Sequence, residues 1–251
     1  MPSVSYFRFF DLPAELRTNI LSHLLALRHG VILFNCTMFG SPYDKVTVLR
    51  IFLVNVQMYQ EASAIFYGQN IFTINAQSHR LPWHLTKPGG FLSPQGQDAR
   101  RRVQTLSIYL NRVGGEFENV LAPTLSDMIL SGSLRKLKIS LGSPNPHHAR
   151  TSGPSIDITA RPPFQSLLNL LADPDLLHAE LCVWKVHWDI FCPFHAIAER
   201  KTKGKNSREV VDEHGLATIR GDADWVQLDW EAMVSVFGSS KRIMKVMETD
   251  I

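Results

Sequence analysis

Two octapeptides decide the fold: residues 103–110 read VQTLSIYL and residues 134–141 read LRKLKISL. Their apolar residues occupy the same four positions, and the second octapeptide follows the first with a displacement of 31 residues. Alternate side chains of a strand point to the same face of a sheet, so the pattern predicts two strands with matching buried faces. The residues predicted to share one core are Leu106, Ile108, Leu137 and Ile139.

The residues between the two octapeptides are predicted to form a helix. Apolar residues recur there at helical spacing, interrupted at Pro123, and they are Phe117, Val120, Leu121, Leu125, Met128 and Ile129. A strand, a helix and a second strand at this period most simply form a right-handed βαβ unit with parallel strands. The pattern resembles a leucine-rich repeat without its usual Asn or Cys. A third strand is predicted within residues 181–188.

The sequence DLPAEL at residues 11–16 predicts the start of an amphipathic helix over residues 13–26. Proline is tolerated in the first turn of a helix, where its missing N–H costs nothing, and acidic residues there complement the helix dipole. Apolar residues then follow helical spacing. They are Leu16, Ile20, Leu21, Leu24 and Leu25.

Strand and helix patterns alternate over the next fifty residues. β-Branched segments at residues 31–36 and 45–48 flank a loop with Gly and Pro, which predicts a hairpin. A second helix is predicted to end near Gly68, which suits a left-handed C-cap, and a strand at residues 71–74 follows. The apolar stripe of this second helix comprises Leu49, Phe52, Leu53, Val56, Tyr59, Ser63 and Phe66.

These elements predict an α+β protein with three regions. Residues 1–76 form an N-terminal helical module with a small hairpin, and residues 77–100, rich in Pro and Gly, form a loop or linker. Residues 101–251 form a strand-helix region with some leucine-rich-repeat character, expected to bind a substrate or partner.

Three stretches of the N-terminal module carry a family resemblance. FDLPAELR at residues 10–17, LVNVQMYQEA at residues 53–62 and IFYGQNIF at residues 65–72 resemble the F-box-like domain of a large family of uncharacterised fungal proteins. The resemblance implies docking on a Skp-type adaptor of a cullin ubiquitin ligase, while the rest of the chain holds a protein substrate. The adaptor-facing residues that it implies are Leu12, Pro13, Leu16, Ile20 and Leu24. The hairpin between the helices, and the lack of a closing tryptophan before Trp83, depart from the F-box pattern.

Two other functions remain open. The chain could be a stand-alone interaction or structural protein that uses the F-box-like helices as its own core. Exposure of Leu12, Leu16 and Ile20 would distinguish adaptor binding from a stand-alone role, because an exposed apolar ridge indicates a binding partner and a buried one does not. An unrecognised enzyme is the third alternative, and it would need a deep pocket lined by convergent polar groups.

Composition and the search for motifs favour a non-enzymatic protein inside the cell, cytoplasmic or nuclear. The chain is 45% hydrophobic and 20% charged, as globular proteins are, and no apolar run is long enough for a membrane span. No secretory leader is expected, and three cysteines fit a reducing compartment without disulfides. No nucleotide, zincin or hydrolase motif occurs, so no catalytic residue and no cofactor are predicted.

No ligand is predicted for the remaining clusters of polar residues. Cys182, His187, Cys192 and His195 have the right chemistry for zinc but not a standard spacing, so no metal is predicted. Net charge is only +3, and the basic stretches at residues 100–102 and 200–208 lack interleaved aromatic residues. They are predicted to be a solvated face and a mobile loop, and nucleic acid is not favoured as a partner.

Overall fold

The computed structural model describes residues 8–27, 30–33, 50–76, 81–111, 113–142, 161–184, 217–218, 225–228, 230–231 and 234. Its helices are α1 Ala14–Leu25, α2 Val56–Gln69, α3 Trp83–Thr86, α4 Gln97–Arg100, α5 Ala122–Leu130 and α6 Pro162–Leu171. Its strands are β1 Val31–Ile32, β2 Ile71–Ala76, β3 Thr105–Leu110, β4 Lys136–Leu141, β5 His178–Trp184, β6 Ala217–Thr218 and β7 Trp225–Leu228.

The strands form one sheet in the order β1-β2-β3-β4-β5-β7-β6. The first five strands are parallel and follow their order in the chain, whereas β7 pairs antiparallel with both β5 and β6. The predicted combination of helices with a sheet is therefore confirmed. None of the helices among the described residues is long and apolar enough to cross a membrane.

The parallel pairing predicted for the two octapeptides is confirmed. Leu106 lies opposite Leu137 and Ile108 lies opposite Ile139, and all four side chains are buried. Strands β2 and β5 continue the same register on either side. The result is three apolar rows across the sheet, made by Phe72, Leu106, Leu137 and Ala179, by Ile74, Ile108, Ile139 and Leu181, and by Ala76, Leu110, Leu141 and Val183.

Helices that connect the strands supply the rest of the core. The helix expected around Pro123 forms as a π-helical turn, Phe117–Leu121, that continues into α5 with the proline in its first turn. Its buried side chains join those of α6 and the apolar rows in one core cluster. The buried residues of these helices are Phe117, Leu121, Ala122, Leu125, Met128, Ile129, Phe164, Leu167, Leu168, Leu170 and Leu171.

The second predicted helix is interrupted, so the prediction of one continuous helix with a single apolar stripe is wrong. Residues 50–52 are helical, a turn follows, and α2 begins only at Val56 after the extended residue Asn55. The break changes the direction of the chain, and Leu53, Val56 and Tyr59 become exposed instead of joining the core. Asn55 imposes the new start because its side-chain oxygen caps the helix.

The C-cap predicted at Gly68 is also wrong. Gly68 lies inside α2, which continues to Gln69, and the C-cap residue Asn70 has an ordinary negative φ of −92°. A Cβ at this position would lie 3.4 Å from the amide nitrogen of Gln104, which is an ordinary van der Waals distance, so packing does not require glycine there. The strand expected after it is confirmed as β2.

The hairpin predicted at residues 31–36 and 45–48 falls mostly outside the described residues. Its described part, β1, pairs parallel with β2, and Gly30 has a φ of +67° just before it. A Cβ at Gly30 would lie 2.5 Å from the carbonyl oxygen of Ile71, so this close approach requires glycine.

The segment predicted as a loop at residues 77–100 contains α3, α4 and a 3₁₀ turn in its described part, so the prediction of a plain loop is wrong there. Its buried Leu85 and Leu92 belong to the main core cluster. Arg100 is buried as well and donates to the carbonyl oxygens of Phe91 and Ser93, and this burial lowers the pKa of its guanidinium. The first and third regions predicted from the sequence therefore share one sheet, and the segment between them packs into the same core.

Candidate protein-docking surface

Helices α1 and α2 pack side by side and run in the same direction. Arg17 of α1 makes two hydrogen bonds of 2.9 Å to the carboxylate of Glu61 in α2. Further along both helices, the Gln69 amide donates to the Ser22 hydroxyl at 3.1 Å. Because both numbers rise together, the amino ends of the two helices lie at the same end of the pair.

The buried side chain of Asn70 connects the carboxyl ends of the two helices through hydrogen bonds. The amide nitrogen of Asn70 donates to the carbonyl oxygens of Leu25 and Phe66, both at 2.8 Å. Its side-chain oxygen accepts from the backbone N–H of Leu27 at 2.7 Å. Asn70 thus ties the chain that leaves α1 to the last turn of α2, and it satisfies groups that helix ends leave unpaired.

Helix α1 carries two separate apolar stripes. Leu21 and Leu25 are buried in the core, whereas Leu16, Ile20 and Leu24 are 50%, 39% and 48% exposed. Leu16, Ile20 and Leu24 each come one residue before positions 17, 21 and 25, which face the rest of the protein. One residue is a rotation of about 100° around a helix, so the two stripes lie about 100° apart. The helix therefore contributes to the core and still presents a second apolar stripe to solvent, which we call the apolar ridge (Leu16, Ile20 and Leu24).

The other two residues of the predicted site lie at the start of α1. Pro13 is exposed and stands immediately before the first helical residue, and Leu12 is half-buried. The Leu12 carbonyl oxygen accepts from Arg17 at 2.6 Å, which holds this segment against the helix pair. The structure thus brings all five predicted residues onto α1 and the residues that lead into it.

Sequence reasoning missed a second group of exposed apolar residues, at the amino end of α2. Leu53 is 81% exposed, and Val54 and Val56 are also exposed. Since the amino ends of α1 and α2 lie together, this group lies at the same end of the helix pair as Pro13. The signal that could have found it is Asn55, whose side-chain oxygen accepts from the Met58 N–H at 2.7 Å and starts a new helix.

One ion pair, between Arg17 and Glu61, lies between the two helices. The hydrogen bonds from Arg17, and then one from Gln57, lower the pKa of Glu61, and the same carboxylate raises the pKa of Arg17. Both groups therefore stay ionised near neutral pH and satisfy each other. The ridge itself has only aliphatic side chains, so it can bind by burying apolar surface but offers no group for proton transfer or metal ligation.

The cysteine of the residue set considered for zinc belongs to the sheet. Cys182 is buried in β5, burial raises the pKa of its thiol, and Tyr109 and Trp225 contact each other edge to face on the same face of the sheet. His187, Cys192 and His195 lie outside the described residues, as does the basic stretch at residues 200–208. Within the described ranges, no three His, Cys, Asp or Glu residues come close enough to hold a metal ion.

Comparisons of the chain with models of known protein families, with curated proteins and with solved structures found no match.

Proposed function

We propose that this protein is a substrate receptor of a cullin ubiquitin ligase that docks a Skp-type adaptor through the apolar ridge and the start of α1. The observation that carries the proposal is the exposure of Leu16, Ile20 and Leu24 beside a separate buried stripe. A helix whose whole apolar face was covered would support the alternative of a stand-alone protein. The same five residues that the F-box resemblance implies for the adaptor contact lie at or near the solvent.

Burial of the exposed apolar residues would supply part of the binding free energy. Fully burying an exposed Leu or Ile side chain contributes about 1.5–3 kcal/mol, so half-exposed residues contribute about half of that each. The ridge together with Leu53, Val54 and Val56 therefore offers several kcal/mol of apolar binding free energy. Exposed aliphatic residues in such a group are typical of protein-protein interaction sites.

We assign substrate binding to the sheet region. Rows of apolar residues in register across β2–β5 support a leucine-rich-repeat-like arrangement, in which each strand repeats its neighbour. The opposite face of these strands carries polar side chains, among them Lys138, which pairs with Glu180 at 3.2 Å across β4 and β5. A rigid sheet with a polar face suits the binding of a protein segment.

Co-purification tests the adaptor contact directly. The tagged full chain is co-expressed with a Skp-type adaptor, and we expect the two proteins to elute together. Leu16→Asp should abolish the complex because it places a carboxylate in the apolar contact. The substitution should leave the fold intact, since Leu16 is half-exposed in the first turn of α1, where an acidic residue is favourable.

Two further variants keep the test decisive. Leu177→Asp changes a leucine that is 72% exposed outside the helix pair, and it should retain the adaptor. Leu53→Asp should weaken the complex without involving α1 at all. A wild-type chain that retains no adaptor, or a folded Leu16→Asp variant that retains it fully, would refute the proposal and favour a stand-alone interaction protein.

A further inference from the structure

A groove of about 490 Å³ opens between α2 and the amino ends of β3 and β4. Its floor is held by main-chain contacts between the three elements. The Gln104 N–H donates to the Tyr67 carbonyl oxygen, and the Gln104 carbonyl oxygen accepts from the N–H groups of Arg135 and Lys136. The groove is therefore framed by regular structure and does not depend on a long loop.

The groove is strongly cationic. Arg101, Arg102 and Arg135 line it, and none of the described residues that line it is a carboxylate. The ion pairs among the described residues use other groups, so none of these three guanidinium groups is neutralised there. Three guanidinium groups that line one small groove repel one another unless an anion joins them.

One of the three arginines is held in position. Arg102 donates to the Tyr59 hydroxyl at 2.9 Å and to the Ser63 hydroxyl at 3.3 Å, and its guanidinium lies 5.2 Å from the centre of the Tyr59 ring. These neutral partners orient the cation without cancelling its charge. The side-chain amide of Gln104 adds a neutral donor to the same groove.

We propose that this groove, which we call the arginine groove (Arg101, Arg102 and Arg135), binds a small anion with two or more phosphate groups. A guanidinium group matches phosphate oxygens two at a time, and a phosphate group offers more acceptor oxygens and more charge than a carboxylate of similar size. The volume is that of a small-molecule site. This site is independent of the proposed adaptor contact.

Calorimetric titration of the full chain with inorganic pyrophosphate tests the site. We expect saturable binding with a stoichiometry near one, and binding of citrate, which carries comparable charge on carboxylates, should be about tenfold weaker or more. Arg101→Gln with Arg135→Gln should weaken pyrophosphate binding by about tenfold for each lost guanidinium. Both residues are exposed, so the unfolding midpoint of the variant should match that of the wild type.

Matched variants separate specific binding from general charge. Arg161→Gln removes one exposed arginine outside the groove and should leave pyrophosphate binding unchanged. Arg101→Lys with Arg135→Lys keeps the charge but loses the paired donors, and it should bind measurably more weakly. Equal affinity for pyrophosphate and citrate, full affinity of the lysine variant, or binding of a phosphoserine peptide without binding of pyrophosphate would overturn the proposal.

Discussion

The sheet and the N-terminal helix pair use leucine in opposite ways. In β3 and β4, Leu106 and Leu137 recur at equal positions and are fully buried by the helices that connect the strands. In α1, Leu16 and Leu24 also recur at regular spacing, but about half of each side chain is exposed. The comparison teaches that spacing predicts which residues share a face, whereas the next layer of structure decides whether that face is covered.

The two regions also differ in what holds them together. The sheet is joined by three rows of apolar side chains in register, and its stability should follow the apolar area that those rows bury. The helix pair also buries apolar residues but adds polar contacts, with Asn70 at one end and the pair of Arg17 and Glu61 near the other. Substitutions in the two regions should therefore lower the free energy of unfolding for different reasons.

The largest expected effect compares one leucine from each region. Leu137→Ala should lower the free energy of unfolding by about 2–5 kcal/mol, because it removes buried contacts and leaves a cavity. Leu16→Ala, the matched change on the ridge, should stay within about 0.5 kcal/mol. Urea unfolding of both variants measures the difference, and equal losses would mean that the ridge is covered in solution.

The second prediction concerns the hydrogen bonds by which Asn70 connects the two helices. Asn70→Ala should cost about 1–3 kcal/mol, because the buried N–H and carbonyl groups that it serves lose their partner. Asn169→Ala, at an exposed position of α6, is the matched control and should change the unfolding midpoint little. If the two variants unfold at the same urea concentration, the hydrogen bonds of Asn70 contribute nothing net.

A smaller effect concerns the start of α2 and the apolar group beside it. Asn55→Ala should destabilise the protein by about 1 kcal/mol, because the Met58 N–H loses its capping oxygen. Asn55→Ser retains a capping oxygen and should behave almost as the wild type. In the adaptor pull-down, the alanine variant should also bind more weakly than the serine variant, since Leu53 and Val56 depend on this cap for their position.

The smallest effect is a pH dependence of the helix pair. The pKa of Glu61 is lowered in the folded protein, so its contribution is present above the ordinary value near 4.5 and is lost as pH falls below it. Glu61→Gln should therefore be less stable than the wild type at pH 7, and the gap should shrink toward about pH 3. Thermal unfolding at both values measures this, with Glu231→Gln as the control, and a gap that widens in acid would contradict the lowered pKa.

Part of the fold could be predicted from the sequence because a strand has a strict period of two. The match between residues 103–110 and 134–141 fixed the facing residues and the register of β3 and β4. The neighbouring strands β2 and β5 keep the same rows but lie at other displacements along the chain, so a search for a repeat of 31 residues does not find them. The pairing of β1 with β2 depends on contact between distant segments, which no local pattern encodes.

The residues of the proposed adaptor contact were predicted from the sequence, but their environment was not. The resemblance to the F-box implied Leu12, Pro13, Leu16, Ile20 and Leu24, whereas their exposure depends on how α2 packs and where it begins. The arginine groove was hidden for a similar reason. Arg101 and Arg102 precede the first octapeptide and Arg135 lies inside the second, so only the pairing of β3 with β4 brings them together.

The order of the parallel strands has a consequence for how the protein is made. Each strand from β2 to β5 pairs with the strand that precedes it in the chain, so each of these strands meets a partner that the ribosome has already released. The sheet can therefore grow from its N-terminal end during synthesis, with each added strand extending the rows of its predecessor. Strand β7, which pairs antiparallel with β5, can join only after the parallel part is complete, so an arrested chain that ends before it should already protect the amides of β2–β4 from hydrogen exchange.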